Sequence, residues 1–233
     1  MIQTLRGMRD LAGREARIFQ WIEEKARLFF ELYGYEEIKL PVMERTELFS
    51  RGIGDSSDIV QKEMYTFHDR KGRSVTLRPE GTAGVVRHYI ENGYDKRDPL
   101  KKFYYSGPMF RYERPQKGRY RQFYQFGVEA FGMESPLLDA DTLAMLVDYF
   151  TAIGIESPLV KVNNIGCPRC RPDYNRALRD YLHEHEEALC PDCRTRIETN
   201  PLRVLDCKKE SCRTVVSHSP DIADYLCESC RVY

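Results

Sequence analysis

Between Arg111 and Arg121 the chain sets Arg111, Arg114, Lys117, Arg119 and Arg121 against a single acid, Glu113, a local charge of +4 in a protein of zero formal net charge. Such a concentration calls for a polyanion or a paired acidic surface. A guanidinium is a rigid planar fork that holds a phosphoryl group through two parallel hydrogen bonds. Aromatic runs flank the cluster, with Tyr104, Tyr105, Met109 and Phe110 before it and Phe123, Tyr124, Phe126, Val128 and Phe131 after it. These types favour strands, and Pro115, Gln116, Lys117 and Gly118 supply a turn, so the segment is predicted to be a long hairpin with a mobile basic tip. Arg111 then stands near the end of the first strand, and a ring such as Phe123 offers a base something to stack on. A phosphate chain and a purine fit that surface. The alternative on composition alone is a solvated basic face, or arginines paired with the chain's own acids.

A second set of reactive residues lies elsewhere. All eight cysteines fall between Cys167 and Cys230, grouped as Cys167-x2-Cys170, Cys190-x2-Cys193, Cys207-x4-Cys212 and Cys227-x2-Cys230. Short cysteine pairs are the chelating units of all-thiolate zinc sites, in which each pair gives half of a tetrahedral shell, so two zinc ions are the maximum. Gly166, Pro168 and Pro191 beside the pairs suit tight metal-binding turns. Disulfides and free reduced thiols are the competing accounts. Spacing alone does not reveal how the four pairs combine.

The elements that must position these groups follow from periodicity. Asp10 is predicted to cap a helix running to about Tyr33, with Ile18, Ile22, Ala26, Phe29 and Tyr33 on its buried face and Gly34 ending it. Tyr35 to Pro41 reads as a short strand and Glu44 to Phe49 as a short helix, followed by a flexible segment from Gly52 to Ser57. Met64 to Phe67 and Ser74 to Leu77 are predicted to pair around Asp69-Arg70-Lys71-Gly72. Asp139 to Phe150 is helical, with Leu143, Leu146, Val147 and Phe150 expected to be buried. Strands joined by hairpins and interspersed with helices predict an α+β fold, an antiparallel sheet flanked by helices, rather than a doubly wound parallel sheet. The expected division is a core over residues 1–162 and a cysteine-rich module over 163–233.

The chain has neither a G-x-x-x-x-G-K-S/T loop nor a G-x-G-x-x-G fingerprint, so a nucleotide would have to be held by arginines on a sheet. That is the manner of class II aminoacyl-tRNA synthetases. Tyr33-Gly34-Tyr35-Glu36-Glu37-Ile38-Lys39-Leu40-Pro41 resembles the first signature motif of that class, and Phe110-Arg111-Tyr112-Glu113 through Arg121-Gln122-Phe123 resembles the second. Within the class, TLRPEGT at 76–82 together with FRYERPQKGRYRQFYQFGVEAFG at 110–132 resembles the histidyl-tRNA synthetase family. Residues from Asn163 onward resemble the start of an insertion that some bacterial members carry between their second and third motifs.

The resemblance implies roles. Arg111 would grip the α-phosphate of ATP, Glu113 would orient the nucleotide, Phe123 would stack on adenine and Arg119 would contact the outer phosphates. Glu80, Thr82 and Gln125 would face the α-amino group of L-histidine, and Glu129 its imidazole. These types suit their ligands, since an ammonium and an imidazole N–H both need acceptors; the alternative for Glu129 is an ion pair with an arginine of its own sheet. The implied reaction is attack of the histidine carboxylate on the α-phosphorus of ATP, with Mg2+ accompanying the nucleotide, followed by transfer to histidine tRNA. The family's third motif, its later glycine- and tyrosine-rich segment and its anticodon-binding domain are not in this sequence, which is therefore expected to be an N-terminal part of such an enzyme, inactive or weakly active alone. A homodimer formed through the first motif is the expected assembly.

Composition bounds the remainder. A hydrophobic content of 42%, with 12% aromatic residues, predicts a folded protein. No apolar run approaches a membrane span and the first residues lack a signal-peptide core, so no membrane contact and a reducing cytoplasm are expected, which makes disulfides the weaker account of the cysteines. Two other readings stay open: a non-catalytic relative serving as the regulatory subunit of ATP phosphoribosyltransferase, and a zinc-containing module that binds nucleic acid or protein.

Overall fold

A computed structural model describes every residue except Met1, Asp55, Ser56, Asp58, Pro115 and Tyr233. The expected flexibility at Asp55 and Ser56 and the turn role of Pro115 lie outside the described residues. The chain divides into two compact units, residues 1–158 and 159–233. Among the described residues no helix is long and apolar enough to cross a membrane.

The predicted hairpin is the centre of the first unit. Strands β5 (Lys101–Phe110) and β6 (Gln122–Phe131) pair antiparallel over their full length, from Lys101 opposite Phe131 to Phe110 opposite Gln122. Alternation of side chains across a pleated strand gives this ribbon two distinct faces. One face carries Tyr104, Phe126 and Val128, which pack with Phe30, Met145 and Tyr149. The other carries Phe103, Tyr105, Met109 and Phe123, packed with Val85 and Tyr89.

Helix α1 (Gly13–Leu32) and helix α5 (Pro136–Ala152) cover the first of these faces. The start of α1 differs from expectation: the capping position is Ala12, which makes no side-chain cap, so Asp10 lies outside the helix. Ala26 and Phe30 are its buried residues, the expected Ile22, Phe29 and Tyr33 pack against the same cluster, and only Ile18 of the expected face is exposed, at 46%. Gly34 does end the helix, taking a positive φ of 79° that favours glycine. In α5 the buried residues are Met145 and Tyr149 while Leu146 is exposed. Near-continuous hydrophobicity leaves the face of that helix undetermined by periodicity.

The Tyr35–Pro41 segment forms only a two-residue strand, β1 (Glu36–Glu37), which pairs parallel with β5 at the sheet edge. A second small sheet has the order β2 (Met43–Arg45), β4 (Ser74–Leu77), β3 (Tyr65–His68). Its predicted β3–β4 hairpin is present, with Tyr65 opposite Leu77. The expected short helix is α2 (Thr46–Ile53). Thr76 is fully buried and its hydroxyl is satisfied by those of Thr46 at 2.9 Å and Thr66 at 2.8 Å. This sheet delivers the TLRPEGT segment to the start of α3 (Thr82–Glu91), which lies against the second face of the hairpin.

The second unit is helical, built from α6 (Arg171–Glu184) through α7 (Pro191–Thr199) and further short helices. Its core joins Leu178, Leu182, Ile197, Val204 and Val215 with Cys190, Cys193 and Cys212.

Candidate active site and cysteine clusters

The residues on the second face of β6 succeed one another as Phe123, Gln125, Gly127 and Glu129, the alternate positions that a pleated strand turns to one side. Arg111 follows the end of β5. Its Nε donates to the Pro79 carbonyl at 2.9 Å, and its guanidinium sits 5.1 Å from the centre of the Phe123 ring. The charge and the aromatic surface expected on this hairpin are thus brought together, with the guanidinium fixed by backbone at one edge. Glu113 and Arg119 pair with each other at 3.1 Å near the hairpin tip, where Arg119 is well exposed. The Glu113 carbonyl also accepts from Arg121 Nε at 3.2 Å. With its Arg119 partner largely in water the pair contributes little to stability, so Arg119 can turn to another anion.

At the opposite end Glu129 accepts a hydrogen bond from the Thr82 hydroxyl at 2.7 Å. This contact excludes neither a ligand nor the expected role, because a carboxylate has further lone pairs. Burial raises the pKa of Glu129; the Thr82 hydrogen bond opposes that shift and the nearby Glu80 carboxylate adds to it. Glu80 itself caps α3, its Oε1 accepting from the Ala83 amide at 3.0 Å. Its carboxylate is therefore partly committed to the helix terminus, where negative charge is favoured. Between the two ends, opposite Gly107, lies Gln125, whose side-chain oxygen is buried and has no hydrogen-bond partner among the described residues. A buried, unpaired carbonyl costs about 1–3 kcal/mol.

Two residues to which the sequence reading gave no site role build this surface. Tyr105 is buried between two glycines: a Cβ at Gly81 would lie 2.3 Å from its ring and one at Gly127 2.2 Å. Burial pushes its phenol pKa up; a hydrogen bond with Thr82 opposes that shift, and the Glu129 and Glu80 carboxylates add to it. Glycine inside a strand marks such a close approach, and Gly127 in the middle of β6 is the available signal. Arg78 is the other, only 5% exposed. Its guanidinium donates to the carbonyls of Pro108 at 2.9 Å and Leu40 at 2.8 Å, tying the hairpin to the segment after β1. A Cβ at Gly107 would lie 2.3 Å from Arg78 Nη2, so that glycine makes room for the brace.

In the second unit the eight cysteines form two tetrads. Cys167, Cys170, Cys227 and Cys230 make one and Cys190, Cys193, Cys207 and Cys212 the other, the four sulfur atoms of each lying within 4.8 Å of one another. None is in a disulfide. Backbone N–H groups of Cys170 and then Arg169 pull the Cys167 thiol down to about 6.

Comparison with known proteins agrees with the architecture. The chain is 52% identical over 229 residues to a histidine–tRNA ligase of Syntrophotalea carbinolica, covering 98% of this chain and 55% of that protein. It thus spans about half the length of the curated relatives it matches. The crystal structure of apo histidyl-tRNA synthetase from S. aureus superposes with a TM-score of 0.77 at 37% identity, covering all of this chain and 52% of that one. A structure from Bacillus halodurans C, described as an ATP phosphoribosyltransferase regulatory subunit/histidyl-tRNA synthetase, has a TM-score of 0.63 at 19% identity, covering 97% and 65% of the two chains, and shares the fold. The family model described as histidyl-tRNA synthetase matches residues 7–170, and the chain belongs to that family.

Proposed function

We propose that the first unit binds ATP and L-histidine on the second face of the β5–β6 hairpin and joins them as histidyl-adenylate, the first half of the histidine–tRNA ligase reaction. The observation that carries this reading is the Gln125 oxygen, buried and without a partner among the described residues, between a guanidinium–aromatic pair at one end and a half-buried carboxylate at the other. An α-ammonium group would supply the missing donor. In this reading Arg111 grips the α-phosphate, Phe123 stacks on the adenine ring, and Glu113 and Arg119 serve the nucleotide and its outer phosphates. Glu80, Thr82 and Gln125 face the amino group, and Glu129 accepts from the imidazole N–H. The order along β6 is then that of the product, nucleotide to amino acid.

The chemistry needs little proton transfer, because the histidine carboxylate is already the nucleophile. Its in-line attack on the α-phosphorus forms the acyl-phosphate bond and releases pyrophosphate. The chain contributes alignment, and a fixed guanidinium where negative charge builds up. Mg2+ entering with ATP would supply further charge neutralisation on the phosphate oxygens. Transfer to histidine tRNA would follow.

We also propose a homodimer through the Tyr35–Pro41 region. Strand β1 is a sheet edge beside exposed Val42 and Met43, and an open edge of that kind is a surface that folded proteins cover. Calorimetric titration tests the ligand assignments directly: ATP and L-histidine should each bind the protein, and absence of both would remove the reading.

A further inference from the structure

The two cysteine tetrads are not built from successive pairs. The first and last pairs in the chain, Cys167/Cys170 and Cys227/Cys230, meet in one tetrad, and the two middle pairs, Cys190/Cys193 and Cys207/Cys212, meet in the other. The outer ligand set therefore encloses the whole of the inner one along the chain.

The spacing is that of a chelate. Cys167 Sγ lies 3.5 Å from Cys170 Sγ and 3.9 Å from Cys227 Sγ. Four thiolates at ~2.3 Å from a tetrahedral zinc stand about 3.8 Å apart, whereas a disulfide would bring two of them to about 2.05 Å. Backbone amides already point at sulfur within each tetrad: the Cys227 amide donates to Cys170 Sγ at 3.1 Å, and the Cys190 amide to Cys212 Sγ at 3.3 Å. Each of these bonds links the two pairs of its own tetrad. A zinc with four thiolates carries a net charge of −2, and a cation stands beside the outer set. Arg169 Nη2 is 4.0 Å from Cys227 Sγ.

The two sets differ in surroundings. Cys190, Cys193 and Cys212 are buried in the hydrophobic core of the unit, whereas of the outer four only Cys170 is buried. We infer that residues 159–233 bind two zinc ions through nested, closed tetrathiolate sites, an inner one built into the core and an outer one that clips together the two ends of the module and exchanges first. With four protein ligands each, neither leaves a position for substrate or water. The sites are structural, and the inference is independent of the ATP and histidine assignments.

Metal analysis of protein purified without added metal should give two zinc ions per chain. Timed chelation with pulsed alkylation and mass spectrometry then reads the ligand sets in the unaltered protein. Loss of the first ion should expose Cys167, Cys170, Cys227 and Cys230 together while the inner four stay protected. Fewer than two zinc ions, joint labelling of Cys167 and Cys170 with Cys190 and Cys193, or earlier labelling of the inner four would overturn the inference. Replacing Cys167, Cys170, Cys227 and Cys230 by serine together should leave one zinc. Replacing Cys167, Cys170, Cys190 and Cys193 should leave none, and equal retention by the two variants would contradict the nesting.

Discussion

Glu129→Gln separates what this carboxylate does for the fold from what it does for the ligand. The amide oxygen of glutamine can still accept the 2.7 Å hydrogen bond from Thr82, so the local scaffold is kept while the negative charge is lost. In the ligand-free protein that charge is a burden: burial raises the pKa of Glu129, and Glu80 adds to the shift. A carboxyl whose folded pKa is raised binds its proton more tightly in the folded state. Its favourable contribution is complete below the ordinary value near 4.5 and is lost as pH rises through the raised folded pKa. The variant should therefore be the more stable protein at neutral and mildly alkaline pH, and its advantage should shrink as pH falls toward that ordinary value. Histidine binding should move the other way. Loss of an ionised acceptor for the imidazole N–H costs about 1–3 kcal/mol, which is about 5- to 150-fold in affinity. Denaturant unfolding at several pH values and calorimetric titration of L-histidine measure the two halves. Unchanged affinity and selectivity for histidine would refute the ligand role, and a stability difference that does not vary with pH would refute the electrostatic account.

Other changes probe the rest of the site. Arg111→Ala should weaken ATP binding by roughly tenfold or more while leaving histidine binding nearly intact, since charge-assisted bonds to phosphate are worth about 1.5–3 kcal/mol; equal ATP affinity in a titration with labelled nucleotide would remove this residue from the phosphate role. Arg78→Ala strands the carbonyls of Leu40 and Pro108. It should destabilise the first unit by at least about 2 kcal/mol, a loss readable by urea unfolding and absent if the brace is incidental. Sedimentation over a range of concentrations should show a dimer, and a strictly monomeric species would count against the β1 edge as its interface.

What the sequence discloses, and what it withholds, follows from how local each signal is. The β5–β6 hairpin is legible because two aromatic runs flank a turn-rich basic segment, a pattern contained in the single stretch from Lys101 to Phe131. Arg111 and Phe123 are legible for the same reason. Arg78 is not, because its role is set by carbonyls 30 and 38 residues away. The ligand role expected of Glu80 overlooks Ala83, close by in the chain, which uses that carboxylate as a helix cap. The face of α5 escapes prediction because a helix hydrophobic on several sides gives periodicity little to choose from. Cysteine spacing identifies the close pairs, but which pair meets which is decided by the fold of the second unit.

Activation of histidine by ATP on this surface is the step on which the functional reading rests. Histidine-dependent exchange of labelled pyrophosphate into ATP reports that step alone and needs no tRNA. Exchange should require L-histidine, should not be supported by other amino acids, and should fall sharply in Arg111→Ala. Binding of histidine without any exchange would contradict the proposed chemistry and would favour a regulatory relative that keeps the pocket and not the reaction.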